Sequence, residues 1–262
     1  MKKLFALKIA ALFLLLPGLQ IVFAAASGYK DIPATVRALD DAISLPADVL
    51  YLGDSTLYRG DDQEADRRTL PQMLDEALPG LRVVGVYHDA YHLALLEQFC
   101  RVSINSDTPP QVIVVPINMR SFADERASRP EYQFVKESLF LSYKSPVFAA
   151  FFRPLATFHA FNLEPISEEE YLDIETFDGD TRLGTFRELR ALPIEEQLPL
   201  HVRACYRYQL VSTHSHIRAL DRIAAMCQEA RVHLIVYATP TDYERGEELI
   251  GAGFSEGIER NL

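Results

Sequence analysis

Positive charge is scarce in this 262-residue chain: 26 lysines and arginines stand against 37 aspartates and glutamates, a formal net charge of −11. Such an acidic chain repels phosphate backbones and anionic headgroups, so no nucleic-acid partner is expected. Cysteine is scarce too. Cys100, Cys205 and Cys227 are an odd set without metal-ligand spacing. An oxidising compartment permits one disulfide among them, but spacing does not choose the pair. The chain also lacks a phosphate-cradling Gly-rich loop, a dinucleotide fingerprint, an internal repeat and a low-complexity segment, so neither cofactor nor metal is implied. After residue 26 no stretch is long and apolar enough to span a bilayer.

What is present begins at the amino terminus. Lys2 and Lys3 precede an almost wholly apolar stretch from Leu4 to Phe23, and Ala24-Ala25-Ala26 offers a small-residue cleavage site. Lys8, Pro17 and Gly18 interrupt that stretch, as suits a cleaved signal better than a spanning helix. The pattern predicts a signal peptide over residues 1–26, cleaved near Ser27, and a periplasmic or extracellular protein. If uncleaved, the same segment would anchor the chain in the inner membrane, the one membrane contact expected. Removing it takes three lysines and moves the formal charge from −11 to −14. Residues 27–262 then fit one α/β domain with enough chain for a sizeable core.

Short apolar runs alternate with helical spacing along that domain. A helix around Thr35 to Ile43 leads to a strand at Val49 to Leu52, and Thr69-Leu70-Pro71 opens a second helix that runs to Leu78. Leu81 to Val86 is a second strand. Leu93, Leu96, Phe99 and Val102 recur at helical spacing, and Gln111 to Pro116 is a third strand. Strand, helix, strand, helix, strand at these intervals predicts right-handed βαβ units, a parallel sheet and a three-layer αβα fold. From Ala123 to about Cys205 the pattern loosens into an aromatic-rich and then an acidic part, which predicts a helical insertion. One long helix is expected over Val202 to Ala230 and a fourth strand over Val232 to Ala238.

The chemistry-bearing residues follow the strands. Val49-Leu50-Tyr51-Leu52 runs straight into Gly53-Asp54-Ser55, and ligands of open α/β sheets bind at the carboxyl ends of strands. Ser55 there is either a nucleophile or part of a helix cap. The turn after the second strand carries His88, Asp89, Ala90, Tyr91 and His92, and Asn118 follows the third. Acyl transfer by serine needs a hydroxyl and fixed donors for the oxygen that becomes negative. The Ser55 N–H, an N–H of the second turn and the Asn118 amide qualify. Arg120, two residues on, is a candidate contact for an anionic substrate group. His214 and His216, at i and i+2, make a poor ligand pair.

Gly53-Asp54-Ser55 after one apolar strand and Pro116-Ile117-Asn118 after another resemble the SGNH (GDSL-type) hydrolases over most of Val49 to Pro240. The resemblance implies a flavodoxin-like sheet and an esterase or acyl transferase acting on an acylated carbohydrate or another ester. Ser55 would be the nucleophile and Asn118 the oxyanion side chain, with backbone donors at Ser55 and Ala90. Three departures stand out. Ala90 replaces the usual glycine of the second turn, Pro116-Ile117-Asn118-Met119 replaces Gly-x-Asn-Asp, and no Asp-x-x-His follows Pro240. The expected source of the base is chain encoded beyond Leu262. The alternative is a non-catalytic envelope or polysaccharide-binding protein that lost the histidine. Asp89-Ala90-Tyr91-His92 is the one Asp-x-x-His present, so His92 is the candidate base and Asp89 its orienter, against a bland assignment in which Asp89 caps the next helix and His92 lies in its first turn.

Overall fold

The structure is a computed structural model that describes residues 32–58, 65–123, 132–142, 167–178 and 181–262, with single positions between 8 and 22. The chain divides into two units, Met1–Ala38 with Phe134–Glu164, and Leu39–Gln133 with Pro165–Leu262. The expected cleavage site at Ala24 to Ala26, most of the aromatic-rich part of the insertion and residues 59–64 lie outside the described residues. Among the described residues no helix is long and apolar enough to cross a membrane.

Helix α1 spans Ala34–Ser44. The larger unit is organised on β1 (Val49–Gly53), β2 (Val83–Tyr87), β3 (Val112–Ile117) and a last strand, β6 (His233–Ala238). All four are parallel, in the order β2-β1-β3-β6. Every residue of β1 is buried. Successive side chains of a strand point to opposite faces, so burial of the whole run requires cover on both. Val49 and Tyr51 cluster with Leu57 and Val114 on one face. Leu50, Leu52 and Ile113, which alternation sends to the other, are equally buried. Each such side chain contributes roughly 2 kcal/mol of burial free energy.

The covering helices are α2 (Leu70–Ala77) on β2, α3 (Leu93–Ile104) on β1 and β3, and α8 (Ser215–Ala230) on α3 and β6. The protein is therefore an α/β fold with a parallel sheet flanked by helices, as the spacing of apolar runs predicts. The α2 start also matches: Thr69 and Gln72 form a reciprocal capping box, with Pro71 in the first turn.

Two expectations are corrected. The stretch read as a helical insertion holds helices α4 (Val135–Ser142), α5 (Glu168–Leu172), α6 (Phe186–Arg190) and α7 (Ile194–Tyr206), but also an antiparallel hairpin of β4 (Glu175–Asp178) and β5 (Thr181–Thr185). The single helix expected from Val202 is two, because residues 207–214 leave helical geometry between α7 and α8. That connector is held from outside. Asn261, on α10 (Gly253–Asn261), accepts a hydrogen bond from the Leu210 N–H at 2.9 Å and donates to the Tyr208 carbonyl at 2.8 Å. Between the last strand and α10 lies α9 (Tyr243–Ile250).

Candidate functional site

Because β1 lies between β2 and β3, the three turns that leave their carboxyl ends are neighbours. The β1 exit is tight. A Cβ on Gly53 would lie 2.7 Å from Leu57 Cδ1 and 2.9 Å from Pro116 Cγ, so only glycine lets β1 end this close to β3. The next residues form a single 3₁₀ turn, Ser55–Leu57, capped by Asp54.

Asp54 is buried and fully engaged. One carboxylate oxygen accepts hydrogen bonds from the Thr56 N–H at 2.9 Å and the Thr56 hydroxyl at 2.7 Å. The other accepts from Asn118 Nδ2 at 2.9 Å. Asn118 Oδ1 in turn accepts the Arg120 N–H at 3.2 Å. These two bonds fix which end of the amide is nitrogen and leave one of its two N–H groups over. Ser55 is half-buried, and among the described residues neither its hydroxyl nor its N–H has a hydrogen-bond partner. The Ala90 N–H is likewise unengaged among the described residues.

Ala90 occupies the left-handed region at φ 61°. The turn from His88 to Tyr91 closes with the Tyr91 N–H on the His88 carbonyl at 3.3 Å, and a positive φ at its third residue is what a type II turn demands. The position thus has the backbone of a glycine while carrying an alanine.

Across a small cleft lies the His92 imidazole. Asp54, Asn118, Pro116, Tyr91, His92 and Phe122 are among its lining residues, with room for about one water molecule. His92 is itself the cap of α3, not a first-turn residue: its Nδ1 accepts the Leu95 N–H at 3.3 Å. The remaining ring N–H donates to the Tyr132 carbonyl, and burial, only partly offset by that bond, lowers the pKa. Both ring nitrogens are therefore engaged, and of the bonds described none joins His92 to Ser55 or to Asp89. The Asp89 carboxylate instead accepts a hydrogen bond from the Tyr58 hydroxyl. The base-and-orienter pair expected in this turn is not formed by these bonds, and the physical reason is that the helix start takes the His92 lone pair.

His92 stacks on His216, ring centroids 5.1 Å apart, and His214 lies 5.3 Å from His216 in an edge contact. His216 is buried, its ring N–H donates to the Ser121 carbonyl, and its Nδ1 has no hydrogen-bond partner among the described residues. Burial, then the neighbouring His92 and His214, lowers its pKa to about 4. His214 caps α8 through Nδ1, which accepts the His216 N–H at 3.2 Å. Among the described residues no group of three His, Cys, Asp or Glu side chains is placed to hold a metal ion. Arg120 is half-buried, with an Nε that has no hydrogen-bond partner and no ion pair among the described residues.

Sequence reasoning placed Ser55, Asn118 and Ala90 at one sheet end, and the structure brings their turns together there. It missed Asp54 as the clamp between β1 and β3. The available signal was the coincidence of a carboxylate and an amide directly after two apolar strands. Comparison of the chain with models of known protein families, with curated proteins and with solved structures finds no match.

Proposed function

We propose that this chain carries the nucleophile and oxyanion elements of an exported serine esterase or acyl transferase of the SGNH type, acting on an acylated carbohydrate or another ester. The observation that supports this most is the Asp54 clamp, which ties the β1 turn that carries Ser55 to Asn118 at the end of β3 and uses only one of the two Asn118 N–H groups. The Ser55 hydroxyl oxygen attacks the ester carbonyl carbon. Its proton goes to a base, and the carbonyl oxygen becomes negative. The spare Asn118 N–H, with the Ser55 and Ala90 N–H groups, meets that charge; one such donor is worth roughly 3 kcal/mol in the transition state. Collapse expels the alcohol and leaves an acyl-serine, which water or a second hydroxyl then accepts. Arg120 offers its guanidinium to an anionic group of the substrate. Residues 1–26 direct export.

A second function, a non-catalytic polysaccharide-binding protein, is favoured by one observation: both nitrogens of His92 are engaged by the Leu95 N–H and the Tyr132 carbonyl. Imidazole added to the solution separates the two. A general base contributes about 10²–10⁴-fold, so supplying one from outside restores part of that factor. The 262-residue chain is expected to hydrolyse p-nitrophenyl acetate slowly, with imidazole raising the protein-dependent rate about tenfold or more and Ser55→Ala abolishing the gain. A gain that persists in Ser55→Ala, or no gain at all, leaves the binding function.

A further inference from the structure

The seam between α3 and α8 sets two of the three cysteines against each other. Cys100 sits on the buried face of α3 beside Phe99, and Cys227 on the buried face of α8, one turn beyond Ile223. Their Sγ atoms are 3.9 Å apart, and neither side chain is exposed. The register of the seam is held independently. Glu97, one turn before Cys100 and buried, pairs with Arg222 across the helices at 2.7 Å and with Arg101 on its own helix. Cys205 is elsewhere, its sulfur 3.7 Å from the His201 ring one turn back on α7. A disulfide has its sulfurs about 2.05 Å apart, so the pair needs an approach of about 2 Å between side chains that already touch.

We propose that Cys100 and Cys227 form a disulfide that cross-links α3 to α8 when the chain folds in the presence of a disulfide donor. One thiol, as thiolate, attacks the donor and expels its first thiol, leaving a mixed disulfide on the protein. The second thiolate attacks the protein sulfur of that mixed disulfide and expels the second donor thiol. Two cysteines lose two protons and two electrons, and the donor is reduced to two thiols. Because both sulfurs are buried in the closed seam, exchange takes place before α8 closes on α3. The bond ties positions 127 residues apart, so it restricts the unfolded chain across most of the domain. Nothing in it depends on ester chemistry.

The test refolds the full 262-residue chain from denaturant in a mixture of oxidised and reduced glutathione, or in a reductant alone. Each product is then unfolded in iodoacetamide for intact mass and peptide mapping. The glutathione-refolded chain is expected to take one label, at Cys205, and to yield a peptide joining Cys100 to Cys227; the reduced chain takes three. The cross-linked form is expected to melt about 5–15 °C above the reduced form. Cys205→Ser, which leaves the pair untouched, is expected to cross-link as before and take no label. Three labels after glutathione refolding, glutathione left on the cysteines, or a bridge that includes Cys205 overturns the proposal.

Discussion

The two walls of the one-water cleft are built from similar materials and are left in opposite states. On one wall Asp54 holds Asn118, and among the described residues the bonds stop short of using every donor: an amide N–H of Asn118 remains, as does the Ser55 hydroxyl in the turn that Asp54 caps. On the other wall stands His92, with His216 stacked on it and His214 against His216, yet the His92 and His214 lone pairs close helix starts and the ring N–H groups of His92 and His216 meet main-chain carbonyls. The difference lies in what each side chain still has to offer after the fold has used it. A carboxylate with two oxygens can cap a turn and orient a neighbour at once. A neutral imidazole has one acceptor, and a helix start consumes it. Proximity to a strand end therefore does not by itself make a base.

The largest test of this contrast is the clamp. Asp54→Ala removes three hydrogen bonds from a buried site and strands the Asn118 amide and the Thr56 N–H. At about 1.5 kcal/mol for each bond to the carboxylate, the loss is expected to be about 4.5 kcal/mol, read from urea unfolding at pH 7. Asp54→Asn keeps one acceptor oxygen for the two Thr56 bonds but turns an N–H toward Asn118 Nδ2, and is expected to lose about half of that. If Asp54→Ala costs no more than a surface substitution, the clamp does not hold the oxyanion wall, and the contrast between the walls fails.

The histidine wall is tested by acid. The pKa of His216 is lowered from 6.5 to about 4 by burial and then by His92 and His214. As pH falls through 6.5 the unfolded chain takes up a proton that the folded chain refuses until about pH 4. The contribution to stability is therefore complete above pH 6.5, declines between 6.5 and about 4, and is constant below. The total is about 3 kcal/mol for this group, and burial of His92 acts in the same direction. Urea midpoints at pH 7.5 and 4.5 should fall further in the native chain than in His216→Phe. Equal falls in both proteins would show that the ring is not kept neutral by the fold.

How much of this was legible depended on where the partners lie in the chain. β1, β3 and β6 are recoverable to within about two residues because each is an apolar run bounded by glycine, proline or a polar turn. The β4–β5 hairpin was not, because its alternation is inverted. Thr176 and Asp178 are buried while Phe177 is exposed, Thr176 bonding the Gly184 carbonyl at 2.9 Å and Asp178 pairing with Arg203 at 2.7 Å. The break between α7 and α8 depends on Asn261, more than fifty positions away. In the site, Ser55 and Asn118 are marked by the strands before them. The clamp joins Asp54 to a residue 64 positions on and needs the β1–β3 adjacency, which no local pattern contains.

The smallest expected effect separates the donor wall from simple strain. Ala90 stands at φ 61°, a region that costs an L-residue about 1 kcal/mol and glycine almost nothing. Glycine also widens the unfolded ensemble, at about 0.4–1 kcal/mol. The two terms nearly cancel, so Ala90→Gly is expected to change stability by less than about 0.5 kcal/mol. Ala90→Val, with a branched side chain in the same backbone, is expected to lose about 1–2 kcal/mol. Because glycine keeps the N–H where it is, imidazole-assisted turnover in Ala90→Gly should stay within about twofold of the parent chain. A loss of 2 kcal/mol or more in Ala90→Gly would mean that the alanine methyl group holds the turn by packing, and the oxyanion wall would then owe its shape to a side chain and not to the left-handed backbone.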